Sequence, residues 1–249
     1  MARTRIIPCL LISDSSLVKT KQFKNPIYIG DPLNTAKIFS EKEVDELIIL
    51  DIDATVKGKD PNYNLISEIA GECSMPVAYG GGIRTLDQAR KLIRCGIEKV
   101  VINSASLERL ELIQEIAEVF GSQSVVGSID VLSHASGEYS VATRSGTKKI
   151  KLRPEEHASS LVSVGVGEIF LNSIDRDGMM EGYDLTLIRK VAENINVPLI
   201  VCGGAGTVDH LQQAVLKGGA SAVAAGSMFV FYGKNKAVLI NYPSDLIIN

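Results

Sequence analysis

Short apolar runs alternate with amphipathic stretches along the whole chain. The apolar runs predict eight β-strands, at residues 5–11, 46–52, 76–80, 98–103, 124–130, 168–174, 198–202 and 221–225. The stretches between them have apolar residues at helical spacing and predict seven helices, near residues 32–44, 62–73, 85–95, 107–120, 154–165, 184–195 and 207–218. Strands that alternate with helices indicate a parallel sheet, either closed into a (βα)8 barrel or open and doubly wound.

One motif occurs twice at a constant spacing. Met75–Asp87 and Val197–Asp209 both run from a proline through an apolar strand and a glycine cluster to a threonine. Their matching positions are 122 residues apart, and the same offset relates Gly96 to Gly218. We interpret this constant offset as an internal repeat. Twofold repetition favours the closed (βα)8 TIM barrel over the open sheet.

Each copy of the motif has the features of an anion site. Glycines let the backbone approach a ligand closely, and a helix start provides unpaired N–H groups and the positive end of the helix dipole. Strand-to-helix turns also use glycine for structural reasons, but two copies in matching places favour binding of phosphate. The candidate phosphate-binding residues are Gly81, Gly82, Asn103, Ala105, Gly203, Gly204, Gly206, Gly226 and Ser227.

Length and composition fit one barrel and exclude several other classes. The 249 residues, 45% of them hydrophobic, suit a single barrel domain over 1–249 with half-barrels at about 1–122 and 123–249. A net charge of −3 provides no basic field for nucleic acid. No apolar run reaches 18 residues, so no membrane span is predicted. The four scattered cysteines predict a cytoplasmic protein with no metal site, and we expect no cofactor.

Two connections are longer than ordinary turns, and the last one is irregular. Residues 12–31 contain three lysines and few apolar anchors, which predicts a mobile lid. Residues 131–153 have glycine turn signals and predict a small β-hairpin. After the eighth strand the pattern leaves room for little more than one irregular element, so no normal eighth helix is expected.

Four charged residues begin four strands on one common face. Alternation along the strands puts Arg5, Glu46, Lys99 and Glu168 at the same parity as the apolar residues that follow them. If that parity points inward, the four side chains form an ion-paired ring at the N-terminal mouth. Such a ring either closes the barrel floor and fixes the strand register, or it serves as a functional gate.

The carboxyl ends of the strands contain the candidate chemistry. Asp130 ends the apolar run Val125–Ile129, and barrel enzymes keep their reacting groups at this end. We interpret Asp130 as a general acid or base, or as a polar positioning group; a cap or hairpin anchor is the structural alternative. Other candidates at this active face are Leu11, Lys19, Asp51, Asn172, Ser173 and Asp175.

Six segments together carry a family resemblance: Arg5–Leu10, Asp45–Leu47, Gly80–Ile83, Phe120–Gln123, Ser173–Gly178 and Gly203–Gly206. The chain resembles the cyclase subunit of imidazole glycerol phosphate synthase over about residues 3–230. This resemblance implies a duplicated half-barrel with two phosphate sites. It also implies a glutaminase docked on the barrel floor, with ammonia entering through the charged ring, which favours the gate interpretation.

One departure from that family concerns the chemistry itself. The family has an aspartate at the top of strand 1 and another at the top of strand 5. Asp130 matches the second position, but Leu11 stands at the first. Leucine can neither accept nor donate a proton, and Asp14 lies in the loop at opposite parity. Thr20, Asn172 and Met179 also differ from the residues usual in the family.

Two further segments resemble a paralogous branch of the family. Cys9–Leu11 and the tail Phe229–Pro243 look like the branch linked to acetamidino-sugar synthesis for surface polysaccharides. That resemblance implies that the barrel and a glutaminase supply ammonia to a separate sugar amidotransferase. Three alternatives stay open: a working cyclase of histidine biosynthesis, a scaffold that only activates the glutaminase, and a phosphosugar isomerase.

Overall fold

Eight parallel strands close into a barrel in the computed structural model, which describes residues 3–233 and 235–243. The strands are β1 Arg5–Ser13, β2 Leu47–Asp51, β3 Val77–Gly80, β4 Lys99–Ile102, β5 Val125–Ser133, β6 Glu168–Ser173, β7 Leu199–Cys202 and β8 Ala222–Ala225. Each strand pairs with the next, and β8 pairs with β1. This closure confirms the predicted (βα)8 barrel. The ends of the predicted 1–249 domain, residues 1–2 and 244–249, lie outside the described residues.

Within the described part of the chain, seven helices of eight to ten residues surround the barrel, as the apolar spacing predicts. They are α1 Pro32–Glu41, α2 Tyr63–Gly71, α3 Leu86–Arg94, α4 Glu111–Phe120, α5 Pro154–Ser163, α6 Leu185–Ala192 and α7 Val208–Leu216. Short helical turns lie at Ala54–Lys57, Ser104–Glu108, Ser122–Ser124, Ile174–Arg176 and Ser227–Val230. After the last of these, Phe231–Tyr232 pairs with Ala237–Val238 where an eighth helix would otherwise lie.

Alternation along the strands divides the core into two clusters. Outward side chains such as Ile6, Leu47 and Val100 pack beneath the helices. Inward side chains form a separate cluster that includes Ile48 and Phe170. Because neighbouring strands are staggered, inward residues of alternate strands share a layer. The strand register gives the layers from the floor upward. The lowest consists of Glu46, Lys99, Glu168 and Ala222, and the next three consist of Ile7, Ala78, Val126 and Ile200, then Ile48, Val101, Phe170 and Ala224, then Cys9, Gly80, Ser128 and Cys202. Above them lie Leu50, Asn103, Asn172 and Gly226, and the top layer contains Leu11 and Asp130.

The two motif copies adopt equivalent conformations, with one correction to their register. Thr85 and Thr207 both accept a hydrogen bond from the backbone N–H three residues later and so begin α3 and α7. The offset is 122 residues at these helix starts but 123 from β4 to β8. Gly96 and Gly219 have the same left-handed conformation, with φ of 96° and 85°. The predicted pairing of Gly96 with Gly218 is therefore wrong, because one extra residue precedes β8.

The segment after β1 forms a β-hairpin that contacts a distant loop, and its movement as a lid stays a prediction. Ser16–Lys21 pairs antiparallel with β1, and Lys24–Gly30 pairs with Ser16–Lys21. Thr20 Oγ donates a hydrogen bond to Asp177 Oδ2 at 2.7 Å, and the Gln22 N–H donates to the Asp177 carbonyl at 2.9 Å. The sequence of the hairpin does not reveal these contacts with the distant β6 loop.

The segment after β5 forms the predicted hairpin and adds a third strand. β5 pairs antiparallel with Tyr139–Thr143, which pairs with Lys148–Ile150. Ser145 Oγ donates to the carbonyl of Ile52 at 2.7 Å, so the hairpin tip crosses to the end of β2. A Cβ atom at Gly146 would lie 3.2 Å from the Phe23 ring, which belongs to the first hairpin. The two hairpins thus meet above the barrel mouth.

Candidate active site

A cavity of about 260 Å³ lies between the carboxyl ends of the strands and the two hairpins. Most of the predicted active-face and phosphate-binding residues line it. These are Leu11, Lys19, Asp51, Gly81, Gly82, Asn103, Ala105, Asp130, Asn172, Gly203, Gly204, Gly226 and Ser227. The fold therefore brings both motif copies and the strand-5 carboxylate to one site.

Asp130 is the buried carboxyl group of this cavity. Asn103 Nδ2 donates a hydrogen bond to Asp130 Oδ2 at 2.8 Å. Burial raises the pKa of Asp130 to about 7, although the hydrogen bond from Asn103 acts in the opposite direction. A carboxyl group that titrates near neutral pH can both accept and donate a proton under working conditions.

Leu11 faces Asp130 from the opposite strand in the same layer. The register of the strand pairs puts β1 and β5 half a turn apart and these two side chains at one height. Leu11 is buried and lines the cavity. One side of the reaction space is therefore apolar and cannot exchange a proton with a ligand.

Other carboxylates near the mouth already have structural partners. Asp14 is exposed and its Oδ1 lies 2.8 Å from Lys57 Nζ, so it does not enter the cavity. Asp51 Oδ1 accepts hydrogen bonds from the N–H groups of Asp53 and Ala54, both at 2.9 Å, and burial raises its pKa. Asp177 is held by Thr20 of the first hairpin. Asp51 and Asp177 line the cavity, but none of these three carboxylates stands at the position of Leu11 opposite Asp130.

The glycines of both motif copies are required by close backbone contacts. A Cβ at Gly81 would lie 2.5 Å from the Asp51 carbonyl, and one at Gly203 would lie 2.5 Å from the Ser173 carbonyl. These partners are themselves 122 residues apart, so the repeat extends to the contacts. Glycine is therefore needed for packing here, whether or not an anion binds.

Three predicted site residues lie outside the cavity. Ser173 has the outward parity of β6, next to the inward Asn172. Asp175 Oδ2 accepts hydrogen bonds from the N–H and Oγ of Ser133, so it fixes the second hairpin. Gly206 lies against the next loop, where a Cβ would be 2.4 Å from the Met180 carbonyl. Each of these residues supports the site without lining it.

Ser104 and Arg144 are among the cavity residues that sequence reasoning missed. With the corrected offset of 123 residues, Ser104 is the counterpart of Ser227, and this comparison could have identified it. Arg144 lies at the tip of the second hairpin, and no sequence signal distinguishes it from the exposed lysines nearby.

The four predicted floor residues form a closed ring of ion pairs. Arg5 contacts Glu46 and Glu168, each at 2.5 Å. Lys99 Nζ contacts the same two carboxylates at 2.8 and 3.0 Å. Opposite charges therefore alternate around the ring, and the inward parity predicted from the strands is confirmed. Apolar and small side chains fill the layers from this ring up to Cys9 and Ser128. Asn103 and Asn172 lie between those layers and Asp130.

Comparison with known proteins identifies the family. The family model described as histidine biosynthesis protein matches residues 5–236. A Pseudomonas aeruginosa protein, provisionally named imidazole glycerol phosphate synthase subunit hisF2, is 56% identical over 98% of this chain and 97% of its own length. The Exiguobacterium sibiricum imidazole glycerol phosphate synthase subunit HisF is 42% identical over 92% of this chain and 91% of its own length. The chain belongs to the imidazole glycerol phosphate synthase cyclase subunit (HisF) family.

Membership in the HisF family makes this chain a relative of enzyme subunits. A Vibrio vulnificus relative, provisionally named subunit hisF3, is 49% identical over 98% of this chain and 94% of its own length. Within residues 3–233 and 235–243, no helix combines the length and apolar character needed to cross a bilayer. In the same part of the chain, no three His, Cys, Asp or Glu side chains are grouped so that they could hold a metal ion.

The raised pKa of Asp130 in this HisF-family chain predicts a pH-dependent stability. The native carboxyl binds its proton more tightly than the unfolded one, so the native state loses stability as pH rises from about 4 to about 7. Asp130→Asn removes this loss and should gain up to about 4 kcal/mol relative to the unmodified protein between pH 4 and 8. Urea unfolding at several pH values measures the difference. The exposed Asp209→Asn is the control, and an equal pH response in both variants contradicts the assignment.

Proposed function

We propose that this protein conducts ammonia as the synthase subunit of a glutamine amidotransferase complex in the cytoplasm. In this proposal a glutaminase binds the N-terminal barrel face, and ammonia crosses the barrel to the cavity. A separate sugar amidotransferase then uses the ammonia to form an acetamidino group on a nucleotide sugar for surface polysaccharide. The observation that carries the proposal is Leu11 opposite Asp130, because it deprives the cavity of half of an acid–base pair.

The interior supports passage of a small neutral molecule. Along the described strands, the inward parity puts the charged Arg5–Glu46–Lys99–Glu168 ring at the floor and Asp130 at the top. Above it, the inward side chains are mostly aliphatic or small, up to the layer that contains Cys9 and Ser128. Neutral ammonia crosses such an environment at lower cost than ammonium, because burying a charge without a partner is unfavourable. We therefore assign the ring the role of an ammonia gate.

Retention of the anion sites is consistent with a phosphorylated ligand in the cavity. We propose that two cradles bind phosphate groups: the first around Gly82, Ser104 and Ala105, the second around Gly204 and Ser227. A sugar nucleotide or a phosphorylated effector has the required chemistry.

The second candidate function is a working cyclase of histidine biosynthesis. Its support is the pKa of Asp130, which burial raises to about 7 and which therefore suits acid–base catalysis. Against it, ring closure needs one group that accepts a proton and another that donates one, and Leu11 supplies neither. A general acid or base contributes about 10²–10⁴-fold in rate, so a cyclase that relies on Asp130 alone should be slow.

Isotope transfer tests the proposal and separates a conduit from a scaffold. This protein, the glutaminase and the sugar amidotransferase are mixed with glutamine that carries ¹⁵N in its side-chain amide and with an excess of unlabelled ammonium. A conduit delivers ¹⁵N to the amidinated sugar in preference to the bulk ammonium. A scaffold stimulates glutamine hydrolysis but leaves the sugar with the isotope ratio of the bulk solution, and that result contradicts the proposal.

A further inference from the structure

Among the described residues, two cations that line the cavity have no carboxylate partner. Within residues 3–233 and 235–243, neither Lys19 nor Arg144 is in an ion pair. Arg84 also lines the cavity, but its Nη2 lies 2.6 Å from Asp60 Oδ1. Lys19 and Arg144 therefore have positive charge available for a ligand.

Lys19 lies directly over the second cradle. Its Nζ donates a hydrogen bond to the carbonyl of Cys9 at 3.0 Å, and the side chain is buried. A Cβ atom at Gly226 would be only 1.7 Å from that Nζ, so the ammonium group rests on the backbone at the end of β8. The hairpin after β1 thus supplies a cation to the strand before it in the barrel.

Arg144 has the corresponding position at the first cradle. Its backbone N–H donates to Ser104 Oγ at 3.1 Å, and Thr143 Oγ contacts the same oxygen at 2.5 Å. These contacts fix the tip of the second hairpin against the end of β4. The hairpin after β5 therefore contacts the end of the preceding strand, β4, just as the hairpin after β1 contacts the end of β8. In the closed barrel, β4 lies opposite β8 and β5 lies opposite β1. A half turn of the barrel relates the Arg144 arrangement to that of Lys19.

The backbone at Arg144 conflicts with its residue type. Arg144 and Ser145 have φ of 53° and 54°, in the left-handed region that tight hairpins usually fill with Gly, Asn or Asp. An arginine there is less favourable than a glycine, because its Cβ atom crowds the following carbonyl oxygen. Local preferences that a fold violates in this way concentrate at functional sites. The cost is consistent with a side chain that is kept for a ligand.

We propose that Arg144 is the phosphate-binding cation of the first cradle, where it acts with Ser104, Ala105 and Gly82. Its planar guanidinium offers two parallel N–H donors to two phosphate oxygens, whereas Lys19 offers a point charge at the second cradle. Glu108 lies on the same helical turn as Ser104 and also lines the cavity, so Arg144 offsets a negative charge near this cradle. This inference rests on the anion sites of the proposed function but not on ammonia conduction.

Titration with inorganic phosphate tests this assignment, with the backbone amides of the two cradles followed by NMR. Arg144→Gln should raise the phosphate Kd at Ser104 and Ala105 at least about tenfold and leave Gly226 and Ser227 unchanged. Arg144→Lys should recover part of the lost phosphate affinity, since lysine keeps the positive charge but lacks the paired N–H donors of the guanidinium. Lys148→Gln, an exposed change on the same hairpin, should have no effect.

Lys19→Gln should give the reverse pattern, with weaker binding at the second cradle only. The assignment is wrong if Arg144→Gln binds phosphate at the first cradle as tightly as the unmodified protein. It is also wrong if the variant weakens both cradles equally, or if the unmodified protein binds phosphate at neither. The amide spectrum reports folding in every variant, and failure of ammonia transfer alone would leave these titrations unchanged.

Discussion

Leu11→Asp is expected to raise ammonia-dependent ring closure by about 10²–10⁴-fold over the residual rate of the unmodified protein. The new carboxylate would stand opposite Asp130, whose pKa burial already raises to about 7. Two carboxyl groups in one cavity do not both ionise readily, so one holds its proton while the other accepts one. Formation of imidazole glycerol phosphate from the formimino substrate, with ammonium salt as the nitrogen source, measures the rate.

Two variants separate acid–base chemistry from a change of polarity. Leu11→Asn has nearly the same shape as aspartate and cannot titrate, so it should leave the rate low. Asp130→Asn in the Leu11→Asp background should abolish the gain, because the pair again lacks one member. If Leu11→Asp and Leu11→Asn give the same rate, the missing carboxylate does not limit turnover and the interpretation of Leu11 is wrong.

Glu46→Gln is expected to destabilise the fold by about 3–5 kcal/mol, because Arg5 and Lys99 then share the single carboxylate of Glu168. The Glu46 side chain is only 2% exposed and contacts both Arg5 and Lys99. For a chain of this size the loss corresponds to a fall of roughly 10 °C in Tm. Calorimetry measures the change, and exposed Glu41→Gln is the matched control. A loss below about 1 kcal/mol would contradict a closely paired ring.

The ring variant also bears on the gate. At a temperature where Glu46→Gln remains folded, the account expects the share of glutamine nitrogen that reaches the sugar to change while glutamine hydrolysis continues. A second, stabilising substitution elsewhere that restores the Tm of the unmodified protein should leave the share of glutamine nitrogen that reaches the sugar altered. If the isotope share is unaffected, the ring serves stability alone.

The strands and the floor ring could be predicted because their signal is local. Alternation fixes which side chains share a face, so the inward parity of Glu46 and Lys99 follows from their own strands. The position of Asp130 was accessible for the same reason, since barrel chemistry collects at strand ends. Its contact with Asn103 needed only the adjacency of two strands.

The first hairpin could not be predicted because its contacts are with distant partners, whereas glycine turn signals did predict the second. Thr20 bonds Asp177, which lies 157 residues further along the chain, and nothing in the lysine-rich loop indicates that bond. Arg144 has a left-handed backbone conformation at the hairpin turn, and an arginine in the sequence does not predict that conformation. The extra residue before β8 shifted the true counterpart of Gly96 to Gly219, and only the backbone conformation reveals the shift.

The most direct test of the account measures ring closure by the purified, unmodified protein, supplied with free ammonia and the formimino substrate. We expect negligible formation of imidazole glycerol phosphate from pH 6 to pH 9, because Leu11 leaves Asp130 without a partner acid. Robust turnover would contradict it, and the protein would then be an ordinary cyclase of its family.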